Sequence, residues 1–147
     1  QPQTGMRRGH AVLLDQVAEI ERLTNALEVH PGRSVAAVKR RLADQVAKLV
    51  EASSMLDTVR LHQEAVLLAT RNDIEEELKR LHAHVASARE LLQSKDGVGR
   101  KLDFLSQEFN REANTVCSKA NDSGMTALGL SLKSVIEQFR EQVQNIE

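Results

Sequence analysis

Large aromatic side chains are almost missing from this chain: three Phe make up 2% of its 147 residues, and Trp and Tyr are absent. That excludes a core built on big rings and leaves Leu, Val, Ile and Ala to fill it. It also argues against a nucleic-acid site that stacks bases on Tyr or Trp, so contacts to phosphate and sugar would have to dominate. Proline occurs twice and glycine seven times, too rarely for a loop-rich chain. The single cysteine, Cys117, permits no intramolecular disulfide and fits a reducing, cytoplasmic location. No run of about 18 apolar residues is present, so no membrane span is expected, nor is a secretory leader. A formal net charge of −1 supplies no overall field for gathering nucleic acid, although a local site does not need one. The start at Gln1-Pro2-Gln3 rather than at Met reads as a fragment of a longer protein.

What the chain has instead is helical periodicity along its whole length. Arg7 to about Glu28 carries Leu13, Val17, Ile20 and Leu27 on one stripe, and His30-Pro31-Gly32 then breaks the pattern. Ser34 is placed to cap a second helix bearing Val35, Val38, Leu42, Val46 and Leu49. Ser53 and Ser54 loosen the chain before Asp57, which could cap a third helix to about Thr70. Asn72 or Asp73 opens a fourth, charged helix to about Ser94, and Lys95 to Gly99 reads as a loop. A fifth helix follows to about Asn121, and a sixth spans about Met125 to Ile146. Nothing alternates with period two. The expected fold class is therefore all-α, about six helices in a bundle or helical hairpin array. The first two read either as bundle members or as an extended arm, giving 1–55 as a long hairpin or arm and 56–147 as a helical C-terminal domain.

Two polar patterns stand beside the apolar ones. On the fourth helix Asp73, Glu77, Arg80 and His84 line up within ~60° of one another at ~100° per residue, with Glu76 at the margin. Carboxylates and an imidazole at that spacing could hold a divalent cation, with Arg80 beside it to face a phosphate. Glu64 could reach the same place from the preceding helix. The same spacing also suits a solvated face of ordinary Glu–Arg pairs. On the fifth helix Gln107, Asn110, Asn114, Ser118 and Asn121 follow Asp103 on one side, opposite a stripe of Leu102, Leu105, Phe109, Ala113 and Val116. Repeated Asn inside a helix needs a reason, because its amide competes for backbone hydrogen bonds. A packed polar seam or a ligand would each serve. Arg100, Lys101, Arg111 and Lys119 supply cations nearby. Cys117 has no His at helical spacing to activate it and reads as a small filler.

The segment GRKLDFLSQEFNREANTVCSKAND (Gly99 to Asp122) and the ending LKSVIEQFREQVQNIE resemble the C-terminal region of bacterial YicC/YloC-like proteins, described as stress-induced proteins and endoribonucleases. Upstream, Glu64, Arg71, Asp73, Ile74, Glu76, Glu77, Leu78, Arg80 and His84 match the pattern E…RxDIxEELxRLxxH. The match runs from about Gln63 to the end. Thr70 stands where an acidic residue is usual, and SQEF at Ser106 to Phe109 replaces LQEM. The resemblance implies a divalent-metal-dependent (Mn or Mg) endoribonuclease acting on single-stranded RNA within a ring-like homo-oligomer, a hexamer in the full-length protein. It implies no membrane or DNA partner, and an α/β half upstream of the helical region. Carried onto this chain, it assigns Glu77, Arg80 and His84 to catalysis. Glu64, Asp73, Glu76, Glu77 and His84 go to the metal, and Arg100, Asn110, Arg111, Asn114, Ser118 and Lys119 to RNA. The two polar helix faces are expected to share one cleft. A structural and oligomerisation module, with its chemistry elsewhere, is the alternative. A helical adaptor that binds a partner along its first helix is a third.

Overall fold

The computed structural model describes residues 2–50, 58–94 and 98–146. Among these residues there are six α-helices, one 3-10 turn and no strand. The helices are α1 (Pro2–Glu28), α2 (Val35–Val50), α3 (Thr58–Arg71), α4 (Glu75–Gln93), α5 (Gly99–Lys119) and α6 (Ser123–Ile146), with the turn Pro31–Arg33 before α2. The chain is all-α, as its periodicity requires. Ser34 does cap α2, its Oγ accepting from the Ala37 N–H at 3.0 Å. Asp122 caps α6 by accepting from the Met125 N–H at 3.0 Å. Each bond satisfies a backbone donor that the first helical turn leaves open, at a gain of about 1 kcal/mol. Helix α4 has no side-chain cap at Ile74, but Glu75, Glu76 and Glu77 occupy its first turn, where the helix dipole favours negative charge. The expected cap at Asp57, the loosening at Ser53 and Ser54 and the loop at Lys95 to Gly97 lie outside the described residues.

Two compact units emerge: Gln1–Val29 with Ile74–Glu147, and His30–Asp73. In the first, α1 packs on α4 and α6, and α5 packs on the same two. The helices therefore close a ring in the order α1–α4–α5–α6. Side-chain pairs fix their directions. Glu21 meets Arg89 while Glu28 meets His82, Glu77 meets Lys119 while Arg80 meets Glu112, and Phe109 meets Phe139 while Cys117 meets Gly129. In each case a later residue on one helix faces an earlier one on its neighbour, so adjacent helices run antiparallel, up-down-up-down. Leu13, Val17, Ile20 and Leu27 of α1 are fully buried, and Leu23 and Thr24 widen that stripe inward. The first helix is thus a wall of the bundle that carries the family-like motifs. The grouping differs from the expected division at residue 55, because α1 has a buried face too broad for an arm. The hairpin partner of α2 is α3. That second unit is thin, with Val38 and Ala65 as its buried apolar side chains among the described residues.

Lacking Trp and Tyr, the bundle centres on two rings: Phe109 and Phe139 meet edge to face at 5.7 Å, worth about 0.5–1.5 kcal/mol beyond the area they bury. Leu78, Leu81 and Val85 of α4, Leu102 and Val116 of α5, and Leu132, Ile136 and Val143 of α6 belong to the same core. Between α5 and α6, Gly129 gives room: a Cβ there would stand 2.9 Å from Cys117 Sγ. Cys117 is accordingly a packing residue, and burial raises its thiol pKa. Gly129→Ala should destabilise the chain by about 1–2 kcal/mol through overpacking. In a Cys117→Ala background the same change should be neutral or stabilising, since Ala is the better helix former by about 1 kcal/mol. Urea unfolding of the double-mutant cycle measures the difference; equal effects in both backgrounds would refute the steric account.

Candidate functional site

The seam between α4 and α5 is where the bundle departs from an apolar core. On α4, Glu77, Arg80 and His84 flank the stripe of Leu78, Leu81 and Val85; on α5, Glu108, Glu112 and Lys119 flank the stripe of Leu105, Phe109 and Val116. Antiparallel packing brings these flanks together. Glu77 is 1% exposed and Glu112 4%, so two carboxylates lie inside a helical bundle. Each has a cation. Lys119 Nζ donates to both oxygens of Glu77, at 2.5 and 3.2 Å. Arg80 Nε donates to Glu112 at 2.9 Å. An unpaired buried carboxylate would cost several kcal/mol, so these bonds are conditions of the packing. The half-exposed Arg80 guanidinium also stands 3.7 Å from Glu77 and 4.0 Å from Glu76. Its hydrogen bond to Glu112 is the main influence holding it still more firmly protonated.

One turn further along α4, His84 is half-buried and pinned edge to face against Phe109, with ring centroids 5.8 Å apart. Its Nε2 is buried and has no hydrogen-bond partner. Donor atoms of His84, Glu108 and Glu112 lie within 4.8 Å of one another. First-row dications bind nitrogen and oxygen at about 2.0–2.2 Å, so opposite ligands stand about 4.2 Å apart. Closing the group around an ion needs only small side-chain adjustments. Burial pushes the His84 pKa down, with Glu112 and Glu108 opposing and Arg80 reinforcing the shift. A neutral imidazole keeps the lone pair that a metal requires. An imidazole with an orphaned buried nitrogen and two carboxylates is therefore a donor set that fits a divalent ion.

The residues expected from sequence fall in several places. Glu77, Arg80 and His84 all sit on the seam. Glu76 is exposed at its edge, 3.9 Å from Lys79. Glu64 and Asp73 belong to the other unit, where Asp73 accepts from Arg33 at 2.8 Å and Glu64 is exposed. Glu108 and Glu112, which sequence reading missed, complete the group around His84. Their signal was a carboxylate pair at i, i+4 bordering the apolar stripe of α5, a spacing that also describes routine surface pairs. Arg100, Asn110, Arg111, Asn114 and Ser118 are exposed, whereas Lys119 is half-buried against Glu77. At ~100° per residue, Asn110 and Asn114 point about 120–160° away from Glu108 and Glu112. The amide line runs along the flank of α5 that carries Cys117, which faces Gly129 of α6. Within one chain, then, the amides and the carboxylate–imidazole group occupy opposite flanks of the same helix, and the expected common cleft is not formed.

Two outcomes follow from the seam. Lys119→Met should destabilise the chain by about 2–4 kcal/mol, because it strips the closest cation from a buried carboxylate; Lys119→Met/Glu77→Met should recover most of that loss in urea unfolding. A cost below ~0.5 kcal/mol for Lys119→Met would leave Lys119 free for other work. His84 has a folded-state pKa below its unfolded value, so its contribution to stability is present above about pH 6.5 and is lost as pH falls through the lowered folded-state pKa. The stability of wild type relative to His84→Asn should therefore shrink as pH falls from neutrality toward 5. A constant difference would remove the burial argument.

Comparison with known proteins supplies the family. The family described as "Endoribonuclease YicC-like, C-terminal" matches residues 27–147. A protein of Haemophilus influenzae named "Probable endoribonuclease YicC" is 50% identical over 97 residues, covering 66% of this chain and 34% of that protein. A protein of the same name from Clostridioides difficile is 35% identical over 136 residues, covering 92% of this chain and 44% of its own length. The chain thus spans less than half the length of either relative. No helix among the described residues is long and apolar enough to cross a membrane. With most of its length matched, the chain belongs to the YicC-like endoribonuclease family and corresponds to its C-terminal region.

Proposed function

We propose that this chain is the helical part of an endoribonuclease that cleaves phosphodiester bonds in single-stranded RNA with the help of a divalent metal, Mn or Mg. The observation that carries the reading is the gathering of His84, Glu108, Glu112 and the half-exposed Arg80 on one flank of the α4–α5 seam. Arg80 is the group suited to meet a phosphate, since a preorganised guanidinium stabilises the charge that develops there. Glu77, tied to Lys119, positions the first turn of α4 and so the Arg80 backbone. A dication held by His84, Glu108 and Glu112 would supply Lewis acidity and a more acidic water. Asn110, Arg111, Asn114 and Ser118 offer exposed amides, a hydroxyl and a cation for phosphate and ribose hydroxyls, in a protein without large aromatic platforms. Because the two groups lie on opposite flanks of α5, one RNA strand meets both only by wrapping the helix or by passing between copies of the chain. A ring-like homo-oligomer in the cytoplasm, hexameric in the full-length protein, fits the second arrangement.

A second reading treats these helices chiefly as an assembly module. It is favoured by α3, which exposes Val59, Val66 and Leu67 within ~100° of its surface. Cleavage of labelled single-stranded RNA by the full-length protein separates the two. Arg80→Lys and His84→Gln should each lower kcat/KM by about 10²-fold or more with helical content unchanged. Asn110→Ala/Asn114→Ala should chiefly raise KM. Unchanged cleavage in the Arg80 and His84 variants would move the chemistry off this seam. Dissociation of the oligomer by Leu67→Glu, read by light scattering, would then support the assembly role.

A further inference from the structure

Resting on that reading, we infer that His84, Glu108 and Glu112 form a site that prefers first-row dications such as Mn²⁺ and Zn²⁺ over Mg²⁺, and that Arg80 is its resident counter-cation, competing with the metal for Glu112. Three observations carry it. First, the donors are one imidazole nitrogen and two carboxylates within 4.8 Å. Imidazole suits Zn²⁺ and its neighbours, and Mn²⁺, although it favours oxygen, gives up water for a nitrogen ligand more readily than Mg²⁺, which demands an octahedron of oxygens and retains its waters. Second, the His84 Nε2 is buried without a hydrogen-bond partner, and a near-perpendicular contact with Phe109 holds the ring in place. A buried ring nitrogen left unsatisfied is a cost that coordination would remove.

Third, Glu112 is almost fully buried and its Oε1 is taken by Arg80 Nε at 2.9 Å. A dication and a guanidinium cannot both sit on that carboxylate without strong repulsion. Arg80 has somewhere to go. Its side chain is half exposed, and Glu77 and Glu76 stand 3.7 and 4.0 Å from its terminal nitrogens. Leaving Glu112, it would keep two carboxylates in reach, close to the N-terminal end of α4. The metal would in turn neutralise the buried Glu112, which would otherwise be stranded. Arg80 would be swung outward, to where a phosphate could reach it, only when the cation site is filled. Occupancy of the metal site and presentation of the phosphate-facing guanidinium would thus be one event.

The test uses the 147-residue chain and the metals alone. Titration of Mn²⁺ followed by electron paramagnetic resonance of the free ion should show one site per chain, with Mg²⁺ displacing it only at much higher concentration. His84→Gln and Glu108→Gln should each weaken Mn²⁺ binding at least tenfold. Glu108 is only partly buried, so its variant tests the site even if the His84 variant unfolds. Arg80→Gln should tighten Mn²⁺ binding by about threefold to tenfold. Equal affinities in wild type and Glu108→Gln would overturn the ligand set. Weaker binding in folded Arg80→Gln would overturn the competition, and Mg²⁺ binding as tight as Mn²⁺ would overturn the selectivity. If Mn²⁺ binds as described while the full-length protein leaves RNA intact, the nuclease reading fails and the site stands. If cleavage depends on His84 but no Mn²⁺ binds the chain, the site fails alone.

Discussion

Two carboxylates, Glu77 and Glu112, are buried where α4 meets α5, and the bundle is organised around keeping them paired. Helix packing in the rest of this unit is carried by Leu, Val, Ile and two Phe, whose contacts are non-directional and tolerate small slips between helices. The carboxylates do not tolerate slips. Sliding α5 by one turn against α4 would carry Lys119 away from Glu77 and Arg80 away from Glu112, leaving buried negative charge with no partner. The two ion pairs therefore specify one register between helices that apolar packing alone would align less sharply. A core poor in aromatic residues gains most from such a device, because it has few large shapes to interlock.

That register is also what assembles the candidate metal group. His84 sits on α4, Glu108 and Glu112 on α5, and their donor atoms converge in the register that apolar packing and the ion pairs of the seam share. One residue links the structural and chemical roles: Glu112 anchors Arg80 and also belongs to the donor group with His84 and Glu108. Sharing a buried acceptor between a guanidinium and an ion-binding group creates an arrangement with two ways to satisfy the same carboxylate. Such bistability is an ordinary physical basis for coupling ligand occupancy to side-chain position.

The face bearing Asn110 and Asn114 belongs to a different surface. It runs on the far flank of α5, away from the ion pairs, and remains exposed. Asn110 and Asn114 there are exposed rather than members of a buried polar seam. The hairpin of α2 and α3 carries Glu64 and Asp73, and Asp73 is engaged with Arg33 within that unit. Residues that a linear motif groups together thus divide between two compact units.

Amphipathic periodicity and local capping signals were enough to specify an all-α chain, the limits of most helices and the cap at Ser34, because those depend on side chains within a turn or two of each other; the cap at Asp122 appeared only in the structure. It also marked His84, Arg80 and Glu77 as unusual, since their alignment beside an apolar stripe is a local property of one helix. Membership of the bundle by α1 and pairing of α2 with α3 were not legible, because a stripe shows that a helix buries a face but not against what. Glu108 and Glu112 were invisible as site residues for the same reason. An i, i+4 carboxylate pair acquires its meaning only from the helix packed across from it, and the rotation of α5 about its own axis, which turned the amides away from His84, is settled by which of its faces the apolar core claims.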